Sequence, residues 1–135
     1  MNTGSLNSDV YLDIRSGLNH SMVTGDVKGV FATYPNPEAK DFPGLPIIVV
    51  NSNNSINSPS MSGLRMSNIN ATITCYSNST KQVNEVIDKV YRVIDGDSSL
   101  RINKKTYGYS NVSTSFIGKK SYHQKDLTLT GWTYD

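Results

Sequence analysis

One joint in this chain constrains its fold more than any other feature. An alternating stretch, Leu64 to Tyr76, runs almost directly into Ser79-Thr80-Lys81-Gln82. Ile69, Ala71, Ile73 and Cys75 alternate with polar residues, the period of a half-buried strand. Leu64 and Met66 alternate as well, but the phase slips before Ile69, and a β-bulge near Ser67–Asn68 accounts for the slip. Ser79 followed by Gln82 is a capping box, in which the hydroxyl accepts from one orphan N–H and Gln reaches back to another. Behind it Val83, Val86, Ile87, Val90, Tyr91 and Ile94 form one apolar helical face, and Gly96 stops the helix.

The other elements fall around this joint. Val10, Ile14, Leu18 and Met22 share one stripe, which predicts a helix over 6–22 ended by Gly25. Val27 to Ala32 reads as a short strand, broken by Pro35 and Pro37. Ile47 to Val50 is a β-branched run, the mark of a strand buried on both faces. Residues 51–62 are Asn- and Ser-rich with little to bury, and read as a long mobile polar loop. After Leu100 and Ile102 the chain reads as strands, one through Tyr107, Tyr109 and Val112, continued by Ser113 to Ile117. A hairpin turn at Gly118–Ser121 leads to a return strand carrying Leu127 and Leu129. No strand–helix–strand unit repeats, so the order predicts an α+β fold: one domain over 1–135, a mostly antiparallel sheet, and two helices packed on it.

Composition narrows the class. The chain has 135 residues, one ordinary domain. Small polar residues dominate, with 18 Ser, 14 Asn and 11 Thr. The charged helix formers of a coiled coil are missing, and the longest apolar run, Ile47–Val50, is far short of the about 20 residues of a membrane span. Met1 to Ser5 has neither a basic region nor an apolar core, so no signal peptide is expected. The five glycosylation sequons, at Asn19, Asn53, Asn70, Asn78 and Asn111, carry little meaning without one. Net charge is +2, too small to name nucleic acid as a partner. Residues 96–135 hold six basic against three acidic side chains, with basic pairs at Lys104–Lys105 and Lys119–Lys120.

Catalytic patterns do not emerge. Cys75 is the single cysteine, which excludes an intrachain disulfide and a multi-cysteine zinc site. It falls on the apolar strand face as a packed thiol. His20 and His123 lack metal-ligand spacing, no phosphate-binding glycine loop is present, and the carboxylates sit where helices want them. No cofactor is expected. Lys119–Lys120 with Tyr107, Tyr109 and Tyr122 would suit nucleic-acid contact, while packed cross-strand tyrosines are the plainer reading.

The layout is nonetheless familiar. A proline-interrupted lead, Phe42-Pro43-Gly44-Leu45-Pro46, enters the strand Ile47-Ile48-Val49-Val50. A long strand ends Ala71-Thr72-Ile73-Thr74-Cys75-Tyr76-Ser77, and the helix Val83-Asn84-Glu85-Val86-Ile87-Asp88-Lys89-Val90-Tyr91 follows. The chain closes with the hairpin at Gly118–Lys120 and Leu127-Thr128-Leu129. This pattern resembles the tail-terminator, or tail-completion, proteins of long-tailed bacteriophages over nearly the whole chain. The resemblance implies a non-enzymatic virion protein, assembled in the host cytoplasm. It implies a hexameric ring of copies of this chain that ends the tail tube and joins tail to head. Its partners would be the tail tube protein and the head's connector, with DNA only passing through the lumen. A head-side neck adaptor and a small monomeric binding module are the alternatives.

A ring requires contacts between unlike surfaces that close. The expected subunit or partner contacts are Asn53, Asn54, Ile56 and Met61 in the polar loop, and Lys119, Lys120 and Tyr122 at the hairpin. Lys119 and Lys120 are also the residues expected to face the lumen.

Overall fold

The computed structural model describes residues 12–18, 27–31, 46–59, 65–96, 102–117 and 120–134. Residues 12–18 are helical and form α1. The strands and second helix are β1 (Val30–Phe31), β2 (Ile47–Pro59), β3 (Arg65–Ser77), α2 (Thr80–Asp95), β4 (Asn103–Tyr109), β5 (Ser113–Ile117) and β6 (Lys120–Tyr134). They build one six-stranded sheet in the order β1-β2-β3-β6-β4, with β5 also on β6. Among the described residues only β1 and β2 pair in parallel; the fold is α+β, as the sequence order predicts.

Alternation assigns the two faces of the sheet. Ile48 and Val50 of β2, Ile69, Ala71, Ile73 and Cys75 of β3, and Leu127 and Leu129 of β6 are buried in one cluster. Ile14 and Leu18 of α1 join that cluster, with Val83, Val86, Ile87, Val90 and Ile94 of α2. Both helices therefore cover the same face. The outer parts of the predicted first helix, 6–11 and 19–22, lie outside the described residues. The doubly buried run is as expected, with Ile47, Ile48 and Val50 all buried.

The start of α2 uses the capping residues differently from a simple box. Gln82 N–H donates to Ser79 Oγ at 3.3 Å, the expected half. The Gln82 side-chain oxygen instead accepts from the hydroxyl of buried Ser77, and that hydroxyl accepts from Ser79 N–H at 3.3 Å. Ser77 thus relays the second half and ties the end of β3 to the helix. At the other end Lys105 Nζ donates to Ile94 O at 3.1 Å, a cation where the helix dipole is negative.

Three sequence expectations need correction. Residues 51–59 are not a loop but the outer length of β2, in unbroken register with β3 from Ile47↔Tyr76 to Ile56↔Ser67. Asn and Ser are poor strand formers, yet a ladder already started by Ile47–Val50 carries them, since strand preference is decided by neighbours. Residues 60–62 of the expected loop lie outside the described ones. The bulge expected at Ser67–Asn68 is absent, because β3 meets β6 without a break from Met66↔Tyr134 to Ser77↔His123. The irregularity lies on β2, between Ile56 and Pro59. The strand after Ile102 is interrupted, as β4 and β5 pair with β6 in registers one residue apart. At the break Ser110 N–H donates to Asp126 O at 3.1 Å, and Asp126 N–H donates to Ser110 Oγ at 2.9 Å. A side chain there replaces the missing backbone partner, as a bulge requires.

Gly131 marks a close approach of β6 to the start of β4. A Cβ there would lie 2.4 Å from Ile102 Cγ2 and 2.8 Å from the Asn103 carbonyl oxygen. Backbone cannot yield as a flexible side chain can. Gly131→Ala is therefore expected to lower the unfolding free energy by about 1–3 kcal/mol, measured by urea denaturation against the native chain.

Candidate functional site

The distinctive surfaces of this protein are the borders of its sheet. On one side β1 covers β2 only at Ile48 and Val49. From Asn51 to Pro59 the backbone groups of β2 that point away from β3 have no strand partner among the described residues. The whole 13-residue strand carries no charged residue. Natural edges are normally guarded by lysines, bulges or shortness, and this length has a single irregularity near its end.

The opposite border is of another kind. β4 and β5 lie end to end along β6 and are interrupted by the Ser110 break. β4 carries Lys104 and Lys105, a second irregularity between Asn103 and Thr106, and Lys104 at φ 51°. Those features discourage indiscriminate pairing. Next to them Phe116 on β5 is 76% exposed and Tyr109 on β4 is 49% exposed. Phe116 follows Ser113, Thr114 and Ser115 and precedes Ile117, and an exposed aromatic ring is the type of side chain in which interface cores are enriched.

The expected contact residues are distributed across this framework. Asn53, Asn54 and Ile56 lie on the open part of β2, opposite Asn70, Ile69 and Ser67. They are strand-edge rather than loop positions. Lys120 begins β6 opposite Ile117, so β5 and β6 form the expected hairpin. Met61 and Lys119 lie outside the described residues. Tyr122 is a correction: it is 6% exposed, so its ring is part of the protein's own interior and leaves almost no area for a partner. Large aromatic rings gain most by burial, and this one sits on the sheet side opposite Leu127 and Leu129.

That placement also separates the tyrosines. Tyr107 and Tyr109 lie opposite Leu129 and Leu127, on the helix side of the sheet. There Tyr107 meets Tyr91 of α2 edge-on with centroids 4.8 Å apart, and Tyr109 stands 6.3 Å from Tyr91. Lys125 Nζ lies 5.5 Å from the centre of the Tyr109 ring and donates to Asn84 Oδ1 at 2.7 Å. Tyr107 donates to Asp95 Oδ1 at 3.0 Å. Burial pushes the Tyr107 phenol up first, and the Asp95 carboxylate adds to it. The cluster is thus strand against helix, not the cross-strand pairing expected, and Tyr122 is no part of it. Phe116 was not legible as an exposed anchor, because the one-residue shift at Ser110 changes the alternation before it.

Among the described residues no group of three His, Cys, Asp or Glu side chains could hold a metal ion, and no helix is long and apolar enough to cross a membrane. What this arrangement offers chemically is backbone pairing and an exposed aromatic ring. No protein-family model matches the chain, and neither does any curated protein.

Cys75 shows what burial does to the one nucleophile. Desolvation pushes its thiol up to about 12 from 9.0. The folded thiol holds its proton more tightly than the unfolded one. Its contribution to stability is therefore complete below about pH 9 and lost as pH rises toward 12. At pH 8 the native protein is expected to leave a thiol-disulfide colorimetric reagent unreacted, and to release one equivalent of chromophore only when unfolded in urea. Prompt reaction of the native protein would show that the sheet face over Cys75 is open.

Proposed function

We propose that this protein is a structural subunit of a bacteriophage tail, which closes into a ring that ends the tail tube and joins tail to head. The reading rests on the sequence resemblance to tail-terminator proteins and on one observation above all. The sheet has two long borders of unlike character: the uncharged outer β2 and the guarded, Phe-bearing β4–β5. Two identical edges favour a twofold dimer, whereas two unlike edges favour head-to-tail contact, which closes into rings. Backbone pairing supplies affinity at such a contact and an inserted side chain supplies specificity.

In this reading the β2 edge of one subunit takes the β4–β5 edge of the next, and Phe116 anchors the contact. Six copies is the number that the resemblance suggests. The ring then presents one rim to the tube protein and the other to the head's connector, with DNA passing through the centre. Lys120, at the hairpin, faces a neighbour's carboxylate or the lumen. The protein belongs to the virion and assembles in the host cytoplasm.

Deletion of the gene from its parent genome, with electron microscopy of the lysate, tests the role. Overlong tubes beside DNA-filled, tailless heads are expected. Tails of normal length beside leaking heads would move the protein to the head side of the neck, and normal infectious particles would overturn both positions. The contact has its own test in the purified protein. Phe116→Glu is expected to shift mass photometry from ring to monomer while circular dichroism stays native. Rings that survive Phe116→Glu would remove this edge from the interface.

A further inference from the structure

The C-terminal end of α2 carries a chemical feature that the tail role does not use. Asp95–Gly96 is the one place in the chain where an Asp or Asn stands directly before glycine. Glycine has no Cβ to obstruct the approach to its amide nitrogen. That nitrogen can attack Asp95 Cγ, and a carboxyl oxygen leaves with two protons as one water, closing a five-membered succinimide. Water then opens the ring on either side. One opening restores aspartate; the other routes the backbone through the side chain and gives isoaspartate, one backbone carbon longer. The helix stop itself requires the glycine, since a Cβ there would lie 3.2 Å from Arg92 O, inside ordinary contact distance. Asp95 and Gly96 are both exposed, so water reaches the joint.

We propose that Asp95–Gly96 is a latent isomerisation site and that Tyr107 is the lock that keeps it closed in the folded protein. Two hydrogen bonds oppose the reaction. Gly96 N–H donates to Arg92 O at 3.1 Å, which occupies the attacking nitrogen. Asp95 Oδ1 accepts from the Tyr107 hydroxyl at 3.0 Å, which ties the carboxylate to β4. Asp95 is the last residue of α2, and its helical backbone must unwind before the nitrogen reaches Cγ. Tyr107 is well fixed for this task. Its backbone pairs opposite Leu129 of β6, and its ring meets Tyr91 of α2 edge-on at 4.8 Å. Isomerisation would draw the carboxylate in toward the backbone and away from the hydroxyl. The last turn of α2 would then lose one of its two ties to β4, leaving the bond from Lys105 Nζ to Ile94 O.

The test incubates the full chain at pH 6 and 37 °C and follows isoaspartate at Asp95 by peptide mapping, with an isoaspartyl methyltransferase to label it. The folded chain is expected to isomerise about tenfold more slowly than the same chain unfolded in urea, because the folded joint must first open. Tyr107→Phe keeps the ring against Tyr91 and removes only the hydroxyl. It is expected to speed the reaction of the folded chain about threefold to tenfold, the range of one net hydrogen bond, with the circular dichroism spectrum unchanged. Tyr109→Phe serves as the control, since that ring also faces Tyr91, at 6.3 Å, while the bond to Asp95 comes from Tyr107. It is expected to leave the rate as it is. Equal rates in the folded and unfolded chain overturn the proposal. So does a Tyr107→Phe rate no faster than that of the native chain, or an equal acceleration by Tyr109→Phe. None of these outcomes depends on whether the protein forms a ring.

Discussion

The β3–β6 ladder is the interaction on which everything else in this protein depends. It runs without interruption from Met66↔Tyr134 to Ser77↔His123. A slip of one residue would turn Ile69, Ala71, Ile73 and Cys75 away from the core of which Leu127 and Leu129 are part. The cost of exposing even half of those side chains, at about 1.5–3 kcal/mol each, is comparable to the whole stability of an ordinary domain. The register is thus fixed by burial alone. It needs no turn chemistry, because β3 and β6 are distant in sequence and the helix α2 lies between them.

Several consequences follow from a fixed centre. α2 lands on β3 and β6 through Val83, Val86, Ile87, Val90 and Ile94, and its two ends are held by Ser77–Gln82 and by Lys105. β6 is longer than the strand beside it can follow in one register. The mismatch is taken up between Ser110 and Ser113, where two residues span one of β6 and let β4 and β5 both pair with it. That one-residue excess decides which side of the sheet β5 presents on each alternate position. Phe116 stands opposite Ser121, a position with the parity of Leu127, but it lies on the strand that borders the sheet and stays exposed. An apolar ring at the right parity is therefore left outside the core by its place in the topology.

The same logic explains which parts of the fold could be read from the residues. The β3–α2 joint was legible because period, cap and apolar stripe all agree over thirty residues, and local signals that agree specify structure. β2 beyond Val50 was not legible. Its Asn and Ser residues are poor local signals, and what makes them strand is a partner whose register is fixed elsewhere. The apparent phase slip at Met66 misled in the opposite sense: an apolar residue out of phase does not require a bulge, and the ladder there is continuous. For the candidate site, Lys120 and Ile117 were correctly placed in one hairpin. Tyr122 is expected as a contact through its place at the end of the hairpin, whereas the structure buries it on the side of the sheet away from Leu127 and Leu129.

Outer β2 has an energetic peculiarity that bears on assembly. From Asn51 to Pro59 it is joined to the sheet by β3 on one side, and its sequence there offers one aliphatic residue, Ile56. Each residue ordered costs about 1–2 kcal/mol of backbone freedom. One-sided backbone pairing returns only a part of that. A neighbouring strand on its free side would add a second row of hydrogen bonds to residues already extended. The ordering cost would then be met once and serve two interfaces. A strand added on that side would therefore gain backbone hydrogen bonds without a second ordering cost.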